Sequence, residues 1–309
     1  MHNHIRTARP RFDGTLNLLT ANLLTALPRR CVPTEDKSSH TVDDSDFQHN
    51  FHTHTFRCKH AKGDVTDYCD VALERGMKTL GFSDHAALPD DRWQRARMSY
   101  EQLADYVAAI DQGREDYPGL KILKGMECEY IADFDAYYAD ELLGELGFDY
   151  LVGGAHLFPD GGKWRPTYGG TDTPENLHKY AAHVIDMMAT GYFSFIAHPD
   201  LFGNCYADWD ADTIACSKDI LAASAELGVA MEINALGLAK IAHRKPDNPF
   251  PLYPWEPFWE LAADYDVKVI INADAHRPQD LQRRTGEAWA IANKFKLTLM
   301  SPSDVEYHP

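Results

Sequence analysis

The sequence is short of cysteine pairs, long apolar runs and positive charge, and each shortage removes a class of protein. Its six cysteines (Cys31, Cys58, Cys69, Cys128, Cys205 and Cys216) are scattered and form no C-x-x-C pair. That spacing argues against a disulfide scaffold and for reduced thiols in a cytoplasmic protein. No apolar run reaches the roughly 18–20 residues that a membrane-crossing helix requires, so no membrane role is expected. Lys and Arg number 30 against 47 Asp and Glu, a formal net charge of −17. No basic stripe stands out, and a nucleic-acid surface is not expected, because phosphate backbones are held by clustered cations. Repeats and low-complexity tracts are missing too.

At 309 residues the chain is long enough to bury a substantial core as one barrel or two ordinary domains. Its first 47 residues differ from the rest. Residues 1–30 hold Arg6, Arg9, Arg11, Arg29 and Arg30 against the single acid Asp13, with a leucine-rich stretch from Leu16 to Leu27 between them. An Arg-rich, acid-poor segment can be a targeting peptide. We read it instead as a poorly ordered extension, joined by the polar linker 34–46 to a domain spanning 48–309.

From Gln48 onward short apolar runs alternate with longer amphipathic stretches, the pattern of βα units around a parallel sheet. Seven runs are predicted as strands, at 48–52, 78–83, 121–126, 149–155, 193–197, 229–233 and 267–272. Helices are predicted at 64–75, 99–116, 135–145, 174–190, 211–227, 255–265 and 279–293. Ser99 with Gln102 fits a capping box, and Pro174 after Thr173 fits proline at the first helical position.

The residues that follow these strands carry the functional signal. The first run leads into His52 and His54, with His60 in the loop beyond; the second ends at Asp84-His85 and the third at Glu127. The fourth ends at His156, the fifth at His198, and the seventh runs into Asp274-Ala275-His276. In a parallel barrel all strand C-termini open on one face, where such folds keep their active sites. A lone histidine at a strand end is ordinarily a packed or surface side chain. Seven of the 15 histidines at such positions are better explained as a metal cluster. His52 and His54 fall on the same side of an extended segment, because side chains alternate along a strand. Imidazole and carboxylate ligands without thiolate suit zinc, manganese or iron. Glu127 can bridge two ions.

The ordered motifs F-H-T-H-T with His60, G-F-S-D-H-A, G-G-A-H and N-A-D-A-H-R-P, with Glu127 and the A-H-P-D of His198 between them, resemble those of the PHP (polymerase and histidinol phosphatase) metallohydrolases. The histidinol-phosphatase branch is the nearest in pattern. The resemblance covers about residues 48–300 and implies a distorted (β/α)7 barrel, TIM-barrel-like, with two or three divalent metal ions. Carried over by position, it implies a first ion held by His52, His54, Glu127 and Asp274. Glu127 would bridge to a second ion on His156 and His198, and His60, His85 and His276 would hold the third. A hydroxide bridging the ions would be the nucleophile, and a pocket charge of roughly +3 would draw in a phosphomonoester dianion. Asp84 and Asp200, beside ligand histidines, are expected to orient them, with helix capping an equal possibility for Asp84.

The resemblance implies hydrolysis of a small phosphomonoester, histidinol phosphate in histidine biosynthesis being the leading candidate. Nucleotide, phosphotyrosine or sugar phosphate substrates are the alternatives, and a non-catalytic metal-binding module is the alternative of another class. Arg277, next to the last motif, is the first choice of phosphate clamp, since a guanidinium pairs bidentately with phosphate oxygens. Lys163 and Arg165, in the Gly-rich loop after His156, are weaker choices. In the histidinol-phosphatase pattern an arginine commonly stands where this chain has Ala239, so Lys240 or Arg244 is expected to substitute. Glu129 and the segment 232–234 face the same end of the barrel as candidate contacts for an amine or imidazole. The aromatic stretch 250–259 reads as core, and Cys58 and Cys128 read as structural.

Overall fold

The computed structural model describes residues 42–308, and the expectations for residues 1–41 lie outside them. In chain order the elements are β1 (His49–Asn50), α1 (Val65–Glu74), β2 (Thr79–Phe82), α2 (Leu103–Asp116), β3 (Lys121–Cys128) and, after a π-helix at Tyr137–Glu145, β4 (Tyr150–Gly153). A hairpin of β5 (Leu157–Asp160) and β6 (Lys163–Pro166) comes next, then α3 (Pro174–Ala189), β7 (Phe195–Ile196), α4 (Ala211–Leu227) and β8 (Ala230–Asn234). The chain continues through α5 (Ala235–Ala242), α6 (Glu256–Ala262), β9 (Lys268–Asn272), α7 (Thr285–Lys294) and β10 (Thr298–Leu299). No helix among the described residues is long and apolar enough to cross a membrane.

Strands β1, β2, β3, β4, β7, β8 and β9 pair in that order, all parallel. The sheet curls until its ends meet. A parallel bridge joins Thr53 to Ala275, with His54 N donating to Ala275 O at 2.9 Å and Ala275 N to His52 O at 3.0 Å. The seven expected βα units are therefore present as a distorted, TIM-like barrel, with β10 added alongside the start of β9.

Strand alternation sorts the side chains into two cores. Leu123, Tyr150, Val152, Phe195, Ala230 and Ile270 fill the barrel interior, while their sequence neighbours Ile122, Met126, Leu151, Ile196, Met231 and Val269 pack outward under the helices. Tyr150 occupies the middle of the barrel and donates to Phe51 O at 2.8 Å. It fits only because two facing positions are glycine. A Cβ on Gly81 would lie 2.3 Å from the Tyr150 hydroxyl, and one on Gly125 would lie 2.2 Å from its ring.

The predicted caps form. Ser99 N donates to Gln102 Oε1 at 3.0 Å, and Thr173 Oγ1 accepts from Asn176 N ahead of Pro174. Three elements differ from expectation. The segment after His156 is an antiparallel hairpin rather than a loop, turning through Gly161 and Gly162, both with positive φ. Residues 235–242 form a helix, capped by Asn234 Oδ1 accepting from Gly237 N at 3.0 Å. The final polar residues of the linker dock on the barrel: Asp44 accepts from Arg284 N and Gly286 N at 2.9 and 2.7 Å, and Phe47 is buried.

Candidate metal centre

The inward row of each strand, continued past the hydrophobic interior, ends in a polar side chain. On β3 the row Leu123, Gly125 reaches Glu127; on β9 the row Ile270, Asn272 reaches Asp274; on β4 Tyr150 and Val152 lead to His156. His198 stands one residue out of the inward row Phe195, Ala197 of β7, and the backbone turns left-handed there (φ 34°). Asp274 also has a left-handed backbone (φ 49°), a conformation that costs a non-glycine residue about 1 kcal/mol or more and gathers at functional sites.

All nine candidate ligands converge. Glu127 lies at the centre, with Oε2 2.9 Å from His85 Nδ1, 3.4 Å from His52 Nε2 and 3.6 Å from His54 Nε2. Its Oε1 is 3.2 Å from His198 Nε2 and 3.5 Å from His156 Nε2. Asp274 Oδ1 is 3.2 Å from His54 Nε2, 3.5 Å from His52 Nε2 and 3.4 Å from His276 Nδ1. The His60 ring lies 4.8 Å from that of His276 and 5.3 Å from that of His85. Ligand-capable atoms fall within 4.8 Å of one another in the sets His52–His54–Asp274, His54–His85–His276 and His85–Glu127–His156.

Several of these atoms have no hydrogen-bond partner although fully buried: His52 Nε2, His54 Nδ1 and Nε2, Glu127 Oε1 and Oε2, His198 Nδ1 and Asp274 Oδ1. Each unsatisfied buried polar atom costs about 1–3 kcal/mol. Together they would consume much of the roughly 5–15 kcal/mol by which a domain is stable. Cations among them remove that cost, so the donor set fits divalent metal ions.

The protonation states of four of the histidines fit as well. Burial and mutual repulsion hold His54, His60 and His85 below the ordinary histidine range and bring His276 down to about 4, so their lone pairs are free. Burial alone would raise Glu127 and Asp274. The surrounding histidines outweigh it and hold both well below the usual carboxylate range. His52 and His156 go the other way: burial lowers them, but Asp274, Glu232 and Glu127 raise His52 well above the ordinary histidine range and Glu127 and Glu129 raise His156, so an ion bound there displaces their protons.

Two carboxylates orient the imidazoles, and they are not the ones that adjacency in sequence pointed to. Glu232 Oε1 accepts from His52 Nδ1 at 2.8 Å and from Asn272 Nδ2 at 3.0 Å. Its Oε2 accepts from Asn234 Nδ2 at 2.8 Å and from His198 N at 3.2 Å. Glu129 Oε1 accepts from His156 Nδ1 at 2.9 Å. Glu129 and Glu232, read as contacts for an amine or imidazole of substrate, are thus bound to candidate ligands. Asp84 instead accepts from Thr55 N and Oγ1 at 2.9 and 2.6 Å, securing the loop after His54. Asp200 accepts from Trp255 N and Trp259 Nε1 at 2.5 and 3.0 Å. Cys58 is buried, its Sγ within 4.8 Å of ligand-capable atoms of His60 and His276, whereas Cys128 belongs to the outer core.

The cluster forms the floor of a cleft of about 1170 Å³. Arg277 and Lys240 line it, together with Lys59, Arg95, Arg97 and Arg283, which sequence reasoning missed. The signal for two of these was the run Arg92, Arg95, Arg97 directly after the second strand end. Lys240 Nζ bonds Tyr253 OH at 2.6 Å and Tyr168 OH at 3.2 Å. Lys163, Arg165 and Arg244 do not line the cleft. The first two lie on β6, where Asp160 holds Arg165 at 2.8 Å, and Arg244 donates to Phe250 O at 3.0 Å. In the aromatic stretch Trp255, Phe258 and Trp259 are core, while Tyr253 packs its ring 5.6 Å from that of His198.

The sequence profile of the PHP domain matches residues 50–236. A protein of Deinococcus radiodurans named "Probable histidinol-phosphatase" is 29% identical over 255 residues, covering 77% of this chain and 89% of its own length. A Schizosaccharomyces pombe protein of the same name is 22% identical over 251 residues, covering 74% and 81%. Among solved structures, a histidinol phosphate phosphatase of Lactococcus lactis subsp. lactis, complexed with zinc, L-histidinol and phosphate, superposes with a TM-score of 0.60. It is 16% identical and covers 82% of this chain and 95% of that one, which supports the fold.

Proposed function

This chain belongs to the PHP domain family, and from that premise we propose that it is a metal-dependent phosphatase of small phosphomonoesters, with histidinol phosphate the first substrate to test. The observation that carries the reading is the convergence of nine side chains, five of which (His52, His54, Glu127, His198 and Asp274) carry buried nitrogens or oxygens that lack hydrogen bonds. His52, His54, Glu127 and Asp274 would hold a first ion, Glu127 with His156 and His198 a second, and His60, His85 and His276 a third. Zinc is the first choice of metal, with manganese and iron the alternatives. Bound divalent ions would supply a water of lowered pKa and charge stabilisation for the transferring phosphoryl group.

The chain's own residues do the rest. Glu232 and Glu129 each accept a hydrogen bond from the Nδ1–H of a histidine, so that His52 Nε2 and His156 Nε2 face Glu127. Fixing the tautomer in this way makes the ligand nitrogen more basic. Arg277, exposed at the mouth of the cleft, and Lys240, half-buried between two tyrosines, would take the outer phosphate oxygens. The outer wall, with Trp93 and Tyr168, would receive the leaving group. A cytoplasmic site of action accords with the five unpaired cysteines among the described residues.

A second reading, another phosphomonoester as the natural substrate, is favoured by one residue. Ala239 is buried where the histidinol-phosphatase pattern has an arginine, and its neighbour Lys240 supplies the charge in the cleft instead. Metal analysis of the purified protein, combined with a panel of phosphomonoesters, tests both readings. Histidinol phosphate is expected to exceed nucleotide, phosphotyrosine and sugar phosphates in kcat/KM by about tenfold or more, a difference of roughly 1.4 kcal/mol. A preference for another ester would transfer the assignment to that ester. No turnover with any ester, despite bound metal, would favour a non-catalytic metal-binding module.

A further inference from the structure

The two histidine–carboxylate pairs that orient the cluster are neutralised differently. Glu232 receives only uncharged amide donors besides His52. Glu129 receives His156 Nδ1, the backbone N–H groups of His156 and Leu157 at 3.1 and 3.2 Å, and the guanidinium of Arg97, whose Nη2 is 3.3 Å from Oε1. Arg97 is 4% exposed. Among the described residues it is the one Lys or Arg paired with a carboxylate that also bonds a candidate ligand.

Arg97 is loosely held for so buried a charge. Its remaining contacts are a 3.4 Å bond from Nη1 to Ala86 O and the Trp93 ring 5.4 Å away, and its Nε has no partner. A buried guanidinium left partly unsatisfied is costly. What it does reach is the oxygen that fixes His156.

We propose that Arg97 is a positioning residue for the metal centre. By pinning Glu129 Oε1 it fixes the rotation of the His156 imidazole, and so sets the affinity of the ion shared by Glu127, His156 and His198. Arg97 also lines the cleft, which ties the loop carrying Trp93 and Arg95 to one ligand of the cluster. The inference rests on the metal-binding part of the reading above and is independent of which ester is the substrate.

The test compares Arg97→Met, Arg97→Lys, Glu129→Gln and the double variant Arg97→Met/Glu129→Gln. Zinc retention is measured against a chelator, the visible spectrum is recorded after cobalt substitution, and turnover is measured with p-nitrophenyl phosphate. Arg97→Met and Glu129→Gln are each expected to weaken retention of one ion by about 10–100-fold, the usual effect of losing a group behind a ligand, and to alter the cobalt bands. Arg97→Lys should recover part of the loss. The double variant should be no worse than the weaker single variant, because both substitutions break one chain of contacts. Wild-type zinc retention in Arg97→Met, or losses that add in the double variant, would overturn the proposal. Should Arg97→Met fail to fold, Arg97→Gln takes its place in the same comparison. A wild-type protein that binds no ion would refute the metal reading itself, a result distinct from either of these.

Discussion

The candidate site has a deep half and an outer half, and they are built by different means. His52, His54, Glu127, His198 and Asp274 are all at most 5% exposed, and Glu127 and Asp274 end inward rows of the barrel. His60, His85, His156 and His276 are half-buried or exposed and lie in the loops beyond the strands. Among the nine candidate ligands, the unpaired buried atoms all belong to the deep half. The deep half is therefore costly to fold without ions and rigid enough to place them. The outer half is where substrate and solvent enter.

The first way to break this comparison is to remove one side chain from each half. Glu127→Ala takes away the group that faces five histidines and should lower kcat by about 10³-fold or more, the several kcal/mol expected of metal-based charge stabilisation. His60→Ala removes an exposed imidazole whose Nδ1 is already engaged by Cys58 O, and its loss should be smaller by an order of magnitude or more. Steady-state kinetics with parallel metal analysis gives both numbers. Equal losses, with equal metal contents, would mean that the two halves act as one unit.

The sequence exposed the ligands more clearly than it exposed what holds them. Strand ends are visible as the last polar residue after an apolar run, and this marks Glu127, His156, His198 and Asp274. The orienting carboxylates depend on which strands become neighbours. Glu232 meets His52 across 180 positions of sequence, a separation that no local pattern reports. Adjacency misled at Asp84, because consecutive side chains on extended backbone point to opposite sides. It misled again at Asp200, which follows the left-handed turn at His198. Parity was the better guide: Glu129 is two residues after Glu127, and Asn234 two after Glu232. The hairpin after His156 was legible too, since Asp160-Gly161-Gly162-Lys163 is a turn sequence between short runs.

The comparison extends to the rim, where a smaller effect is expected. Arg277 is exposed and lines the cleft, whereas Lys240 is restrained by Tyr168 and Tyr253. Arg277→Ala should raise KM about tenfold, as expected for losing one charge-assisted hydrogen bond of roughly 1.5 kcal/mol. Lys240→Met should lower kcat as well, because a pre-positioned cation serves the transition state as much as the ground state. The same KM effect from both substitutions, with kcat unchanged, would remove the distinction between a mobile and a fixed cation.

The smallest effect sharpens the contrast between buried carboxylates that face the cluster and those that do not. Glu127 and Asp274 are held down by histidines, so their contribution to stability is present above the ordinary carboxylate pKa and is lost as pH falls through their lower folded values. Asp200 goes the other way. Burial pushes it up to about 7, against the bonds from Trp255 N, its own N–H and Trp259 Nε1. Its folded form therefore holds a proton that the unfolded chain has lost, and its stabilising contribution declines as pH rises from about 4 to about 7. Both tryptophan donors go to Oδ2, and the amide oxygen of an asparagine can accept the same two bonds without carrying charge. Asp200→Asn should accordingly raise the melting temperature at pH 8 by about 2–4 °C, equivalent to roughly 1 kcal/mol, and raise it less at pH 5, where the decline has only begun. Thermal unfolding at the two pH values, with metal content held constant, checks this. A uniform fall at both would mean that the carboxylate is required for the turn at His198 rather than merely tolerated behind it.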